Sequence, residues 1–189
     1  MKKTSHLLIV IWGLILAGCA ASNQNLLGQR NDVFQVASDG AAAVGADEAL
    51  VTVSASIKTH KYSAFLFEPA KHGKDEYLLF VDINGQSMRL PMEMQNETTT
   101  TDPHTDPESG EGVRYLYKTT IRLKPGTYTF TAYLPTEDVS VRREVVIPTE
   151  GKTIVIKPTY RGLARRKVPS LRWRPDFKDG VKGLDIMSK

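Results

Sequence analysis

The sequence predicts an all-β fold: an antiparallel β-sandwich of about eight strands, with a small β-barrel as the alternative. Three observations carry that expectation. Apolar residues alternate with polar ones at period two through most of 49–160, the pattern of strands with one buried face. Asn84-Gly85, Pro125-Gly126 and Glu150-Gly151 punctuate the runs with turn chemistry. No stretch between them carries an amphipathic helix of three turns.

Val51, Val53, Ala55 and Ile57 share one parity, and Thr52, Ser54 and Ser56 the other. Tyr62–Phe67 and Tyr77–Val81 are apolar on both parities, as in strands covered on both faces. Asn84-Gly85 supplies the positive φ of a tight hairpin; the returning strand sets Met88, Leu90 and Met92 against Ser87 and Arg89. Val113, Tyr115, Tyr117, Thr119, Ile121 and Leu123 again share one parity. Pro125-Gly126 fits the centre of a type II hairpin turn. Tyr128, Phe130, Ala132 and Leu134 then alternate with threonines. Val139–Ile147 is a strand that Arg142-Arg143 interrupt, at a bulge or an edge, and Thr149–Lys152 turns the chain into Thr153–Lys157. Strand periodicity stops after Tyr160. Pro169 and Pro175 bar a long helix, so 161–189 reads as a basic tail.

The first residues carry a different signal. Lys2 and Lys3 precede the apolar run Leu7–Ala17, whose 11 residues are too few to cross a bilayer and suit the core of a signal peptide. Leu16-Ala17-Gly18-Cys19 follows, and Cys19 is the single cysteine among 189 residues. This stretch resembles the lipobox of bacterial lipoproteins. The resemblance implies removal of 1–18, lipidation of Cys19 and anchorage in a bilayer. Ala20 and Ala21 imply the outer membrane, facing the periplasm; the inner membrane and a Gram-positive surface stay open. With its one thiol acylated, the chain has no disulfide, no zinc–thiolate site and no thiol nucleophile.

Charge is patterned. Residues 161–189 hold nine basic and three acidic side chains, whereas 19–160 hold 14 basic and 18 acidic. An acidic body beside a basic tail, in an exported protein, argues against nucleic acid as a partner. The expected organisation is a signal peptide at 1–18, a lipidated flexible tether at 19–47, a domain at 48–160 with a mobile loop at 96–112, and the basic tail. As a coil the tether would span roughly 30 Å. Val33–Val36 is its one stretch suited to an edge strand.

Leu123–Tyr128, "LKPGTY", and the alternating strand after it resemble carboxypeptidase-regulatory-like, transthyretin-like and PEGA domains. This resemblance implies an Ig-like or transthyretin-like sandwich. It transfers no catalytic residue.

The chain lacks G-x-S-x-G, a Gly-rich phosphate loop and H-E-x-x-H, so an enzyme is not expected; a hydrolase would need a nucleophile–base pair. His60 and His72 lie beside lysines near turns and read as solvated side chains. Asp102, His104, Asp106, Glu108 and Glu111 crowd into one loop, but Pro103 and Pro107 keep such a chain extended, and no metal or other cofactor is expected. Arg165, Arg166, Lys167, Arg172 and Arg174 surround Trp173. Trp and Arg dominate interface hot spots, which makes these six the candidate partner-binding residues. Alternatively, Leu171, Trp173 and Phe177 pin the tail across the sandwich. The leading functional expectation is a non-catalytic, membrane-anchored accessory module that binds an envelope protein. The alternative is a glycan- or peptidoglycan-binding module using exposed tyrosines; of Tyr115, Tyr117, Tyr128, Tyr133 and Tyr160, the first three follow the core parity, which leaves Tyr133 and Tyr160.

Overall fold

The computed structural model describes residues 28–37, 45, 47–61, 72–162 and 174–189. Among them the period-two runs become strands and no α-helix forms. The strands are β1 (Gln35–Val36), β2 (Ala49–Thr59), β3 (Phe80–Ile83), β4 (Gln86–Arg89), β5 (Met92–Thr99), β6 (Gly110–Leu123), β7 (Gly126–Leu134), β8 (Val139–Ile147), β9 (Lys152–Tyr160) and β10 (Val181–Ser188). They build two separate sheets, which excludes the closed barrel. One has the order β1-β6-β2-β9-β10 with β5 also on β6; the other is β4-β3-β7-β8.

Hairpins alternate between the sheets: β3–β4 in the second, β5–β6 in the first, β7–β8 in the second, β9–β10 in the first. Pro91, Pro125 and Pro148 sit where the chain changes sheet. A proline cannot donate to a ladder, so it suits a point where pairing must end. Pro125-Gly126 therefore marks a crossover between sheets, not the hairpin that its turn chemistry predicts. Asn84-Gly85 does close a hairpin, with φ of 48° and 90°.

The first sheet is not purely antiparallel, which corrects the expectation. β9 lies parallel to β2, with Val51 opposite Lys152 and Ala55 opposite Ile156. β6 runs antiparallel to β2, and each link from β6 to β9 reverses the chain once. Three reversals bring β9 back in the direction of β2.

One core lies between the sheets, formed by Val51, Val53, Ile57, Tyr115, Tyr117 and Ile121 from the first and Val81, Ile83, Phe130, Leu134, Val145 and Ile147 from the second, among others. In β2, β6 and β7 these are the parities read from the sequence. Arg142 and Arg143 interrupt no pairing; β7 and β8 pair in unbroken register, and β8 is an edge. Arg143 reaches across to the Ile186 carbonyl of β10.

Two segments outside the expected domain bounds of 48–160 pack on it, one of them at the stretch that suits an edge strand. Residues 28–37 dock on it: Gly28 N–H donates to Asp82 Oδ2 at 2.9 Å, Val33 and Phe34 N–H donate to Gln86 Oε1, and β1 pairs with β6. The tail of 161–189 ends in β10, paired along β9. A register shift between Val181 and Gly183 moves the buried side chains from Val181 to Leu184 and Ile186. That bulge breaks the parity and hides the strand from a period-two reading. The expected strand Tyr62–Phe67 lies outside the described residues.

The registers define two ends. Ala49 and Leu123 lie at one, with Asn84-Gly85 and residues 28–36; Thr59, Val113, Leu134 and Tyr160 lie at the other.

Candidate functional site

The polar chemistry gathers at the second end. Alternation in β2 breaks at Lys58, which falls on the solvent-facing parity and yet is fully buried. The loop between β5 and β6 folds over it. Its ammonium donates to Thr99 Oγ1 (2.8 Å), the Glu108 carbonyl (2.8 Å) and the Gly110 carbonyl (2.7 Å). All three protons are thereby used. Glu97 lies 3.4 Å away, and the Phe177 ring covers the cation at 5.0 Å. Arg114 grips Glu97 with two hydrogen bonds of 2.6 and 2.7 Å and reaches Glu108 at 2.6 Å. Tyr160 OH donates to Glu108 Oε1 and accepts from Lys58 N–H. Two cations and two carboxylates close a neutral, satisfied network, the condition under which buried charge is tolerated.

Arg114's hydrogen bonds hold the Glu97 carboxyl at about 2, below its ordinary 4.5, against partial burial that raises it. A depressed folded-state pKa stabilises the protein above the unfolded value, and that stability disappears as pH falls through the folded one. Discounted for solvent screening, the contribution is on the order of 1 kcal/mol and should vanish between pH 4.5 and 2. Urea midpoints measured across that window should fall steeply. Glu97→Gln should flatten the fall, and an equal slope in that variant would refute the assignment.

Beside this network stands a histidine cluster that the sequence did not reveal. His72 is buried, which corrects its reading as a solvated turn residue; His60 is half-buried. Their Nδ1 atoms are 3.0 Å apart and their rings meet edge to face. His72 Nε2–H donates to Glu137 Oε1, which also accepts from Tyr77 OH at 3.0 Å. Arg161 lies 3.8 Å from Glu137 Oε2. Burial pushes the Glu137 carboxyl up; His72's hydrogen bond and charge, with Tyr77's hydroxyl, outweigh it and leave the carboxyl below its usual range. Burial and the neighbouring His72 both lower His60. Glu137 ends the short 3-10 turn Pro135–Glu137 between β7 and β8, and Gly180 packs so closely that an added Cβ would meet its carboxylate at 2.9 Å. Twelve residues separate the histidines, and Glu137 is 65 beyond His72, so no local motif announces the cluster.

In the loop of 96–112, β5 and β6 run to Thr99 and from Gly110, which leaves 100–109 between them. Its acidic side chains serve its own turns: Asp102 accepts from His104 N–H, and Asp106 accepts from Glu108 N–H and Thr101 Oγ1. Glu111 pairs with Lys61. No group of three His, Cys, Asp or Glu able to hold a metal occurs among the described residues.

Of the candidate partner-binding residues, only Arg174 is described; its guanidinium meets His104. Arg165, Arg166, Lys167, Arg172 and Trp173 lie outside the described residues, as do Leu16, Ala17, Gly18 and Cys19. Both flanks of the basic segment are described. Asp176 N–H donates to the Arg161 carbonyl at 2.9 Å, and Phe177 N–H to the Pro107 carbonyl. The segment is thus pinched at its base between β9 and β10. Phe177 is fully buried, in keeping with pinning. Tyr115, Tyr117, Tyr133 and Tyr160 are buried and Tyr128 is half-buried, so these five make no exposed platform for a sugar.

The chain matches no family model, no curated protein and no solved structure.

Proposed function

We propose that the protein is a lipid-anchored envelope lipoprotein, acylated at Cys19, that acts as a non-catalytic accessory module binding another envelope protein. On this reading the two sheets form an Ig-like or transthyretin-like sandwich held at the outer membrane, facing the periplasm. The observation that supports it most is the opposition of the two ends. Gly28, the first docked residue, follows Cys19 by nine positions, and a chain of that length reaches about 30 Å at most. A lipid on Cys19 would keep the first end near the bilayer. Arg161 and Asp176, which flank the basic segment, are hydrogen-bonded to each other at the opposite end. Trp173 and its arginines would then be presented away from the anchor, where a partner has access.

Two measurements test this. Cys19→Ser should abolish acyl labelling and move the protein to the soluble fraction; undiminished labelling would refute the anchor. A photo-crosslinking residue at position 173 should trap one discrete adduct in cells. Charge reversal at Arg165, Arg166 and Arg172 should remove that adduct. No adduct, or one indifferent to these charges, would refute the partner role.

A further inference from the structure

We propose that His60 and His72 form a two-imidazole binding site for a transition-metal ion, with Cu(II) or Ni(II) preferred, oriented by Glu137. The proposal goes beyond the accessory role and does not depend on it.

A carboxylate only accepts hydrogen bonds, so His72 Nε2 must carry its proton toward Glu137. A neutral His72 therefore presents a lone pair at Nδ1, toward Nδ1 of His60 at 3.0 Å. In the chain without metal, His60 Nδ1–H can donate to that lone pair; an ion that displaces this one proton meets two nitrogens converging on one point.

The distance suits a metal's ligand pair as well as a hydrogen bond. With metal–nitrogen bonds of about 2.0–2.1 Å, two nitrogens 3.0 Å apart subtend about 95° at the ion, whereas tetrahedral coordination would separate them by about 3.3 Å. An angle near 90° is that of adjacent ligands in square or octahedral geometry, which suits Cu(II) and Ni(II). The imidazole–carboxylate contact behind His72 is the arrangement that fixes the tautomer and ring of a metal-bound histidine. Tyr77 and Arg161 fix Glu137 in turn. No third His, Cys, Asp or Glu completes the set among the described residues; water fills the remaining positions in this proposal, and the ion stays open to exchange.

The test titrates the full chain, purified in detergent, with Cu(II), Ni(II) and Zn(II) chlorides. Calorimetry should give one Cu(II) per chain, and electron paramagnetic resonance should show coupling to two nitrogens. His60→Gln, at a half-exposed position, should remove that two-nitrogen signal and weaken binding at least tenfold with the metal-free melting curve unchanged. Glu137→Gln should weaken it by about 10–100-fold, while His104→Gln should leave it intact. Absence of micromolar Cu(II) uptake would overturn the proposal in favour of a plain imidazole–imidazole hydrogen bond. Uptake that survives His60→Gln would overturn it in favour of adventitious binding elsewhere on the chain.

Discussion

Lys58→Met should destabilise the folded chain by about 3–5 kcal/mol, the usual consequence of breaking one side of a buried ion pair. For a chain of this size that is on the order of 10 °C in the thermal midpoint. Methionine keeps much of the apolar stem and loses the charge. The effect therefore reports the three hydrogen bonds to Thr99, Glu108 and Gly110 and the balance of charge with Glu97. The Glu108 and Gly110 carbonyls would be left facing an apolar side chain, and an unmet buried acceptor costs more than a met one contributes. The β5–β6 loop should loosen first, because Lys58 is the peg on which it closes. Chemical denaturation of Lys58→Met, Glu97→Gln and the double variant would measure the coupling. A single-variant loss below 1 kcal/mol would mean that the ammonium contributes no more than a solvated lysine.

Phe177→Ala should cost about 3–5 kcal/mol, the range for a buried aromatic truncated in place. Phe177 is fully buried, and its ring lies over the Gly110–Gly112 backbone; a Cβ added at Gly112 would come within 2.8 Å of it. It also covers Lys58, so the cavity would open onto a buried charge and admit water. The expected damage is local before it is global. β10 holds to the sheet through β9 alone, and Phe177 anchors the segment just before it. Hydrogen exchange across 182–188 should quicken well ahead of exchange across β7. Equal acceleration in both would show that Phe177 belongs to the global core and does not clamp this strand.

Much of the architecture is legible in local patterns. The buried parities of β2, β6 and β7 follow from alternation, since a strand buries every second side chain whatever it packs against. The Asn84-Gly85 hairpin follows from its positive-φ residues. Pro91, Pro125 and Pro148 were visible, but local chemistry cannot tell a hairpin from a crossover; only the location of the next strand's partner decides that. β10 was hidden by a bulge of one residue. Docking of 28–37 rests on Asp82 and Gln86, more than fifty residues away; the segment itself shows only that Val33–Val36 suits an edge strand.

The candidate site divides along the same line. The sequence by itself determined that a single cysteine closely follows an 11-residue apolar run, that the domain is all β, and that a basic, tryptophan-bearing segment follows β9. Each of these is a property of neighbouring residues. Only the tertiary structure decided that Lys58 is buried, that Glu97 and Glu108 spend their charge on Arg114, and that His60, His72 and Glu137 meet. Those contacts join side chains 6 to 65 positions apart. Their energies depend on which strands lie side by side and which loops cover them, and a side chain's burial and pKa are set by neighbours in space rather than along the chain.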